Sequence, residues 1–338
     1  MDSLTQIVLG ASVGEIVLGK KIGNHAILWG AIVGTIPDLD VLLKPFISDI
    51  HQLAWHRGFS HSIVFFVLLS IVLGWGISKI YKGKRGTMRE WAWFVWWVAF
   101  THALLDCFTT WGTQLFWPLP VRVAFNNIFV ADPLYTIPFL LCIVILMFFR
   151  RSNPWRSKVN YTGLALSSTY MLFTIASKMI VLNQAVEIAE SIPKEIIEIS
   201  SKPTPLNAFL WSIQVKTDEG FYLGYSSLLD TKKEIDFYFV EQHNELLTPY
   251  QHFPEIELLM YINNGYYTVE ETETGIQIND VRFGQPLAWE NPDAPFIFAY
   301  DASIKNQELT LTQLPIARPT QDQMPKIINY IWTRIKGN

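Results

Sequence analysis

Histidine, aspartate and arginine side chains gather near the ends of apolar segments in this sequence. The residues that could do chemistry are Asp38, Asp40, His56, Arg57, His61, His102, Asp106 and Asp132. His102 and Asp106 are four residues apart, so on a helix they share one face and can point at one ion. Asp38 and Asp40 follow Pro37, which ends a helix and leaves both carboxylates on a turn. Imidazole and carboxylate donors without cysteine favour a divalent metal: zinc first, with manganese and iron as alternatives.

The position of these groups carries an energetic cost that a metal would offset. An ionisable side chain at membrane depth costs about 2.5–3.5 kcal/mol even on the most lenient scale. A bound cation, or pairing among the groups, reduces that cost. We therefore predict a metal site with Asp38, Asp40, His56, His61, His102 and Asp106 as ligands and Asp132 as a further candidate. Three residues have predicted catalytic roles: Asp38 or Asp40 as general base, and Arg57 as the contact for an anionic group of the substrate.

The composition indicates that these residues belong to a membrane protein. The chain has 338 residues, of which 50% are hydrophobic and 17% charged, against about a quarter charged in an average globular protein. Its mean hydropathy is +0.22. The net charge of -4 and the lack of a basic tract argue against a nucleic-acid partner. Two cysteines, Cys107 and Cys142, lie in apolar runs and predict neither a disulfide framework nor a cysteine zinc site.

Apolar runs fill the chain up to about residue 182. They cover residues 4–19, 26–36, 62–80, 91–108, 133–149 and 161–182. The last four are long enough to cross a membrane, for which about 17–25 residues are needed. The first two are short and contain polar residues, so each is predicted to be tilted, re-entrant or buried in protein. Gly10 with Gly14, and Gly30 with Gly34, have the four-residue spacing that lets helices pack closely.

The basic loops predict the orientation of the chain. Lysines and arginines cluster at residues 20–21, 79–89 and 150–158, and such loops face the cytoplasm. Six crossings would then place both termini outside, and the candidate metal ligands at the extracytoplasmic ends of the helices. A site at that depth favours a membrane lipid or a lipid-linked molecule as substrate. The pattern favours no particular oligomeric state.

The composition changes near residue 183. From there to residue 338 short alternating segments are separated by turn residues, which is typical of strands. The predicted strands lie at 209–217, 220–229, 235–240, 265–272, 275–283 and 296–300, and a closing helix at 321–334. The predicted fold class is therefore a polytopic helical membrane bundle, residues 1–182, followed by an extracytoplasmic α+β domain, mainly antiparallel β, at 183–338.

Several motifs together resemble the YdjM-like family of predicted inner-membrane metal-dependent hydrolases. They are MDSLTQIVLGASVGE, GTIPDLDVL, HRGFSHS, THALLDCFTTWGTQLFWP and FVADPLY, all within residues 1 to 180. The resemblance implies a membrane-embedded helical core in the bacterial inner membrane and a metal-dependent hydrolase activity. Family elements of the form HRGxSHS, HxxxD and PDxD fall on the candidate residues listed above. Many members have Thr-His where this chain has Thr5-Gln6, and glutamine is a poor metal ligand, so the resemblance does not extend to a ligand from the first helix.

Two other functions remain open at this stage. The cluster could be a structural metal site in a non-catalytic membrane protein whose outer domain binds a partner. A metal or proton transporter would need polar groups through the whole bilayer depth, and the last two apolar runs carry almost none before Lys178. The leading prediction is a hydrolase in which a metal-activated water attacks an ester or phosphodiester of a lipid-like substrate.

Overall fold

A computed structural model describes residues 1–232, 234–285, 288, 294–316 and 320–337, without the side chains of residues 43 and 44. The chain divides into two compact units. The helical unit contains Met1–Pro45, Trp55–Ala176 and Pro205–Asn207, and the sheet unit contains Phe46–Ala54, Ser177–Thr204 and Ala208–Asn338. The longest continuous part of the helical unit ends at Ala176, and the sheet unit resumes at Ser177. The boundary at 182/183 that the sequence indicates stays a prediction.

The chain up to residue 189 is mainly helical. Its elements are α1 (Ser3–Ile22), α2 (Asn24–Thr35), a 3-10 segment (Pro37–Phe46), α3 (Asp49–Trp55), a 3-10 turn (Phe59–His61), α4 (Ile63–Ile80), α5 (Met88–Asp106), α6 (Pro133–Met147) and α7 (Pro154–Ala189). Side chains cap several of these helices at their free amides. Asp2 caps α1, Ser62 caps α4 and Asp132 caps α6. Thr87 and Glu90 form a reciprocal capping box at the start of α5.

Two helices are long and apolar enough to cross a membrane among the described residues, α4 and α7. Only 22% of the apolar window of each is buried within the protein, so most of this surface needs an apolar surrounding. Helix α6 is apolar but has 15 residues. Helix α5 has 19 residues and includes the polar Glu90, His102 and Asp106. The helical region therefore contains two candidate membrane spans among the described residues. The predicted bundle with six crossings stays a prediction.

The glycines of α1 and α2 allow these two helices to pack backbone against backbone. A Cβ atom on Gly10 would clash with the carbonyl oxygen of Gly30, and a Cβ on Gly30 would clash with that of Gly10. Gly14 faces the Ala26 carbonyl, and Gly34 faces the Gln6 carbonyl, in the same way. The predicted close packing is therefore confirmed. It brings the C-terminal end of α2 beside the first turns of α1.

The sheet unit contains two antiparallel four-stranded sheets, in the orders β1-β2-β3-β4 and β5-β6-β7-β8. The strands are β1 (Ile196–Pro203), β2 (Leu210–Thr217), β3 (Gly220–Ser227), β4 (Tyr238–Glu241), β5 (Tyr267–Glu271), β6 (Ile276–Asp280), β7 (Ala299–Lys305) and β8 (Glu308–Gln313). Three helices complete it: α8 (Asn244–Leu247), α9 (Pro254–Asn263) and α10 (Met324–Ile335). The apolar core between strands and loops includes Phe221, Leu223 and Tyr266.

The antiparallel β character predicted from the alternation is confirmed. All six predicted strand segments overlap observed strands, although the segment at 296–300 contributes only its last two residues to β7. Strands β1 and β8 were not predicted. Exposed and half-buried residues alternate along β8, but its apolar residues are too few for the pattern to stand out. The closing helix is confirmed as α10, which begins three residues later than predicted.

Candidate metal centre

Four of the predicted ligands meet in one cluster of the helical unit. Asp38, His61, His102 and Asp106 each place one donor atom within 4.8 Å of the others. They come from three places: the 3-10 segment after α2, the turn before α4, and the last two turns of α5. The side chains of His61, His102 and Asp106 are at most 1% exposed, and that of Asp38 is 22% exposed. The cluster is therefore closed except at Asp38.

The hydrogen bonds on the far side of each imidazole fix which nitrogen faces the cluster. His102 Nδ1 lies 2.6 Å from the carbonyl oxygen of Gly34, which can only accept, so Nδ1 carries the proton. Ser60 Oγ donates to Asp40 at 3.1 Å and therefore accepts from His61 Nδ1 at 2.9 Å. In the neutral rings both Nε2 atoms are then unprotonated. They face each other at 3.2 Å.

Five of the six distances between the donor atoms suit a tetrahedral metal ion. His61 Nε2 lies 3.3 Å from Asp38 Oδ1 and 3.4 Å from Asp106 Oδ2. His102 Nε2 lies 3.6 Å from Asp38 Oδ1 and 3.4 Å from Asp106 Oδ2. Zinc bonds to nitrogen and oxygen of about 2.0–2.2 Å imply tetrahedral edges of roughly 3.3–3.6 Å. Asp106 Oδ2 is buried and accepts no hydrogen bond from the described residues. Four acceptor atoms at these distances require a cation or protons between them.

Two cationic groups orient the Asp106 carboxylate through Oδ1, the oxygen that points away from the cluster. Its Oδ1 contacts the amino group of Met1 and lies 3.3 Å from Arg57 Nη2. Arg57 Nη1 in turn donates to Thr109 Oγ1 at 2.8 Å. These contacts hold Oδ1 away from the centre, so Oδ2 faces the two imidazoles. Orientation of this kind, by partners behind the ligands, is common at protein metal sites.

Arg57 lies against the cluster and not at its surface. It is 5% exposed, and its backbone is left-handed, with φ 56°, a conformation that costs a non-glycine residue about 1–3 kcal/mol. The predicted contact with an anionic substrate group stays a prediction. The observed partner of the guanidinium is a cluster carboxylate.

Asp40 and His56 form a layer behind the cluster. Asp40 Oδ2 accepts from the Arg57 amide at 3.0 Å and from Ser60, and its Oδ1 lies 3.2 Å from His56 Nδ1. Burial raises the pKa of Asp40, but the contact with His56, the charge of His61 and the hydrogen bond from the Arg57 amide together hold this pKa below its usual value. Asp40 is therefore an anion that orients Ser60 and, through it, His61. Neither Asp40 nor His56 contributes to the four-donor set.

Asp132 lies at the start of α6. Its Oδ1 accepts from the amides of Leu134 and Tyr135, and its Oδ2 accepts from the Tyr170 hydroxyl at 2.8 Å. Both oxygens are therefore used in capping α6 and in holding α7. Its predicted part as a metal ligand stays a prediction that this arrangement does not support.

Sequence reasoning missed three groups that position the cluster: the Gly34 carbonyl, Ser60 and Thr109. The Gly34 carbonyl could not be found because every residue has one. Ser60 stands inside the HRGFSHS segment, so its position between two candidate ligands was a usable signal. Gln6 is fully buried beside this site and donates to the His102 carbonyl oxygen at 3.3 Å. Gln6 is not among the four donors of the cluster.

The fold and the cluster define a helical membrane protein with a possible His/Asp metal site and a C-terminal antiparallel β domain. The chain belongs to the YdjM inner membrane protein family, whose family model matches residues 1–181. All four cluster residues lie in that range. Inner membrane protein YbcI of Escherichia coli strain K12 is 32% identical over 108 residues, which is 30% of this chain and 58% of YbcI. The chain thus spans less than two thirds of that relative. No solved structure matches the chain.

Proposed function

We propose that this protein is a membrane-bound metal-dependent hydrolase that cleaves an ester or phosphodiester of a lipid-like or lipid-linked substrate. The observation that carries the proposal is the pair of Nε2 atoms, 3.2 Å apart, that face carboxylate oxygens of Asp38 and Asp106 in a buried centre. His61, His102 and Asp106 would hold the ion, zinc by preference. Two histidines and one carboxylate also form the ligand set of known zinc hydrolases. A divalent ion held there would supply a nucleophilic water at neutral pH and polarise the scissile group.

Asp38 is the residue best placed to move a proton. It alone in the cluster is partly exposed, so its carboxylate can reach both the centre and an entering water. In the proposed reaction Asp38 takes the proton from the attacking water and returns it to the leaving alcohol oxygen. Asp40 is less suited to this part because both its oxygens are already in contact with other groups.

Exposed apolar residues around Asp38 support a lipid-like substrate. Leu39, Val41 and Leu42 are 49%, 47% and 65% exposed, and they flank the two aspartates of the 3-10 segment. Phe59, next to Ser60 and 41% exposed, lies 4.9 Å from the Trp117 ring. Aromatic residues of this kind are typical of the membrane–water boundary. A substrate with an acyl chain could contact this rim while its polar group enters at Asp38.

The hydrolase proposal is tested by metal content and turnover measured together. Purified protein is assayed for bound zinc, manganese and iron, and then on phospholipid and phosphodiester panels. We expect His61→Ala to lose both metal and turnover, and Asp38→Asn to retain metal but lose turnover. His243→Ala, an exposed histidine of the sheet unit, is the matched control. No turnover on any substrate by a metal-loaded protein would refute the proposal.

A second candidate is a structural metal site, and one observation favours it. Four protein donors would complete the coordination shell of a tetrahedral ion, which is typical of structural zinc. Catalytic zinc keeps one coordination position open. In that case Asp38 is a fourth ligand, and Asp38→Asn lowers metal affinity. The same variant therefore separates the two candidates. In this alternative the protein is non-catalytic and its outer domain binds a partner.

The site and the C-terminal domain are proposed to lie on the extracytoplasmic side. The support is the position of the basic loops, which the positive-inside rule assigns to the cytoplasm. Single cysteines at Lys84 and Glu273, in a chain with Cys107 and Cys142 replaced by serine, test this. A membrane-impermeant maleimide applied to intact cells stripped of their outer membrane should label position 273 only. Labelling of position 84 would reverse the orientation.

A further inference from the structure

A second site lies at the other end of α1 from the metal centre. It is a cavity of about 490 Å³ between the α1–α2 turn and the α6–α7 loop. The metal centre lies by the first residues of α1, and the cavity begins at Ile22, the last. Twenty residues of helix span about 30 Å, the thickness of the hydrocarbon core. The two sites therefore lie about one hydrocarbon-core thickness apart along α1.

The cavity is lined by cations without carboxylates. Its charged residues are Arg150, Arg151 and Arg156, with His25 beside them. Arg156 is neutralised by Glu15, which accepts from its Nε at 2.7 Å and its Nη2 at 2.6 Å. Arg151 donates to the Lys21 carbonyl oxygen at 2.9 Å. Among the described residues no carboxylate pairs with Arg150 or Arg151. Two exposed positive charges at this cavity are thus uncompensated.

The start of α2 adds to the positive potential. Gly23 precedes α2 in a left-handed conformation, φ 60°, and no side chain caps the helix. The first amides of a helix carry a partial positive charge and bind anions, phosphate in particular. Here they lie in the same cavity as the arginines. The two sources of positive charge, the arginines at 150 and 151 and the start of α2, come from separate parts of the sequence.

We propose that this cavity binds the phosphodiester headgroup of an anionic phospholipid. Phosphate fits because guanidinium groups recognise it through paired hydrogen bonds. A lipid is favoured over free phosphate because large apolar residues are exposed at the same helix ends. Phe148 is 85% exposed and Trp155 is 56% exposed, positions that suit acyl chains beside the headgroup. Basic pockets between membrane helices are used in this way. The site is separate from the metal centre and does not depend on the proposed reaction.

The test measures protection of the full-length protein by lipid. Purified protein in a neutral detergent is melted with added phosphatidylglycerol, with phosphatidylcholine, or with inorganic phosphate. Ligand binding to the folded state raises Tm in proportion to RT ln(1 + [L]/Kd). We expect phosphatidylglycerol to protect and the other two not to. The double variant Arg150→Gln/Arg151→Gln should bind phosphatidylglycerol at least tenfold more weakly.

Two further variants keep the test decisive. Ser152→Glu places a carboxylate in the cavity while leaving every arginine intact, and should also abolish protection. Lys84→Gln/Arg89→Gln removes the same charge from exposed residues of another basic segment and should leave protection unchanged. Equal protection by inorganic phosphate would overturn the lipid assignment. Protection that survives Ser152→Glu, or that falls equally in the Lys84/Arg89 variant, would overturn the site.

Discussion

Ser60→Ala should weaken metal binding although serine is not a ligand. The Ser60 hydroxyl accepts from His61 Nδ1 at 2.9 Å and donates to Asp40 at 3.1 Å. Metal binding through His61 Nε2 requires the proton on Nδ1. Without the hydroxyl, that buried N–H has no acceptor within hydrogen-bond distance among the described residues, since Asp40 Oδ2 is 4.0 Å from it.

The magnitude follows from the difference between metal-free and metal-bound protein. In the metal-free variant the ring can move its proton to Nε2 and avoid the penalty, but in the metal-bound state it cannot. An unsatisfied buried donor costs about 1–3 kcal/mol. At about 1.4 kcal/mol per factor of ten, metal affinity should fall roughly 5- to 150-fold. Loss of partners behind a ligand typically costs 10–100-fold, which agrees.

Zinc competition against a chelator of known affinity measures this change. Ser70→Ala is the matched control, because Ser70 is also a buried serine of the same helical region but donates only to the Val67 carbonyl oxygen, at 2.8 Å. Its affinity should equal that of the parent. The reasoning is refuted if Ser60→Ala binds zinc within twofold of the parent, or if both serine variants weaken binding equally.

Three other predictions concern stability. Glu15→Ala leaves Arg156 buried without its carboxylate, so unfolding in detergent should be easier by about 3–5 kcal/mol. Gly30→Ala forces a Cβ against the Gly10 carbonyl oxygen and should cost about 1–3 kcal/mol, seen as a lower Tm. Burial, then the charge of Arg282, lowers the pKa of Lys202 from 10.5 to about 7. Between pH 7 and 10.5 the unfolded chain therefore binds more protons at Lys202 than the folded chain does. The free energy of unfolding consequently rises with pH above about 7. Lys202→Met should flatten the resulting rise in Tm between pH 7 and 9.

The sequence predicts seven candidate ligands, and four of them meet in the cluster. The spacing of His102 and Asp106 predicts a shared helix face, and both contribute to the cluster. Asp38 and His61 join them from separate segments, as the apolar runs implied. The division of labour between Asp38 and Asp40 was left open, because spacing alone does not tell which of two carboxylates on a turn accepts hydrogen bonds from the loop beyond it.

The contacts behind the ligands were beyond sequence reasoning for a different reason. Thr109 and the Gly34 carbonyl form hydrogen bonds with residues that are far away in the sequence. Thr109 accepts from Arg57, and the Gly34 carbonyl oxygen accepts from His102. Such contacts depend on how loops and helix ends pack. Hydrophobic periodicity specifies which face of a helix is buried, but not which carbonyl lies opposite a given imidazole.

The packing of α1 on α2 is a condition for the metal centre. The Gly34 carbonyl fixes the proton of His102 on Nδ1, and Gly34 itself lies against the Gln6 backbone with no room for a Cβ. Gln6 in turn donates to the backbone of His102. Any side chain that separates the two helices would therefore move the Gly34 carbonyl oxygen away from His102. The proton of the imidazole would then no longer be held on Nδ1. The small residues of the first two helices thus act on the chemistry of a ligand on α5, and Gly30→Ala should lower zinc affinity as well as Tm.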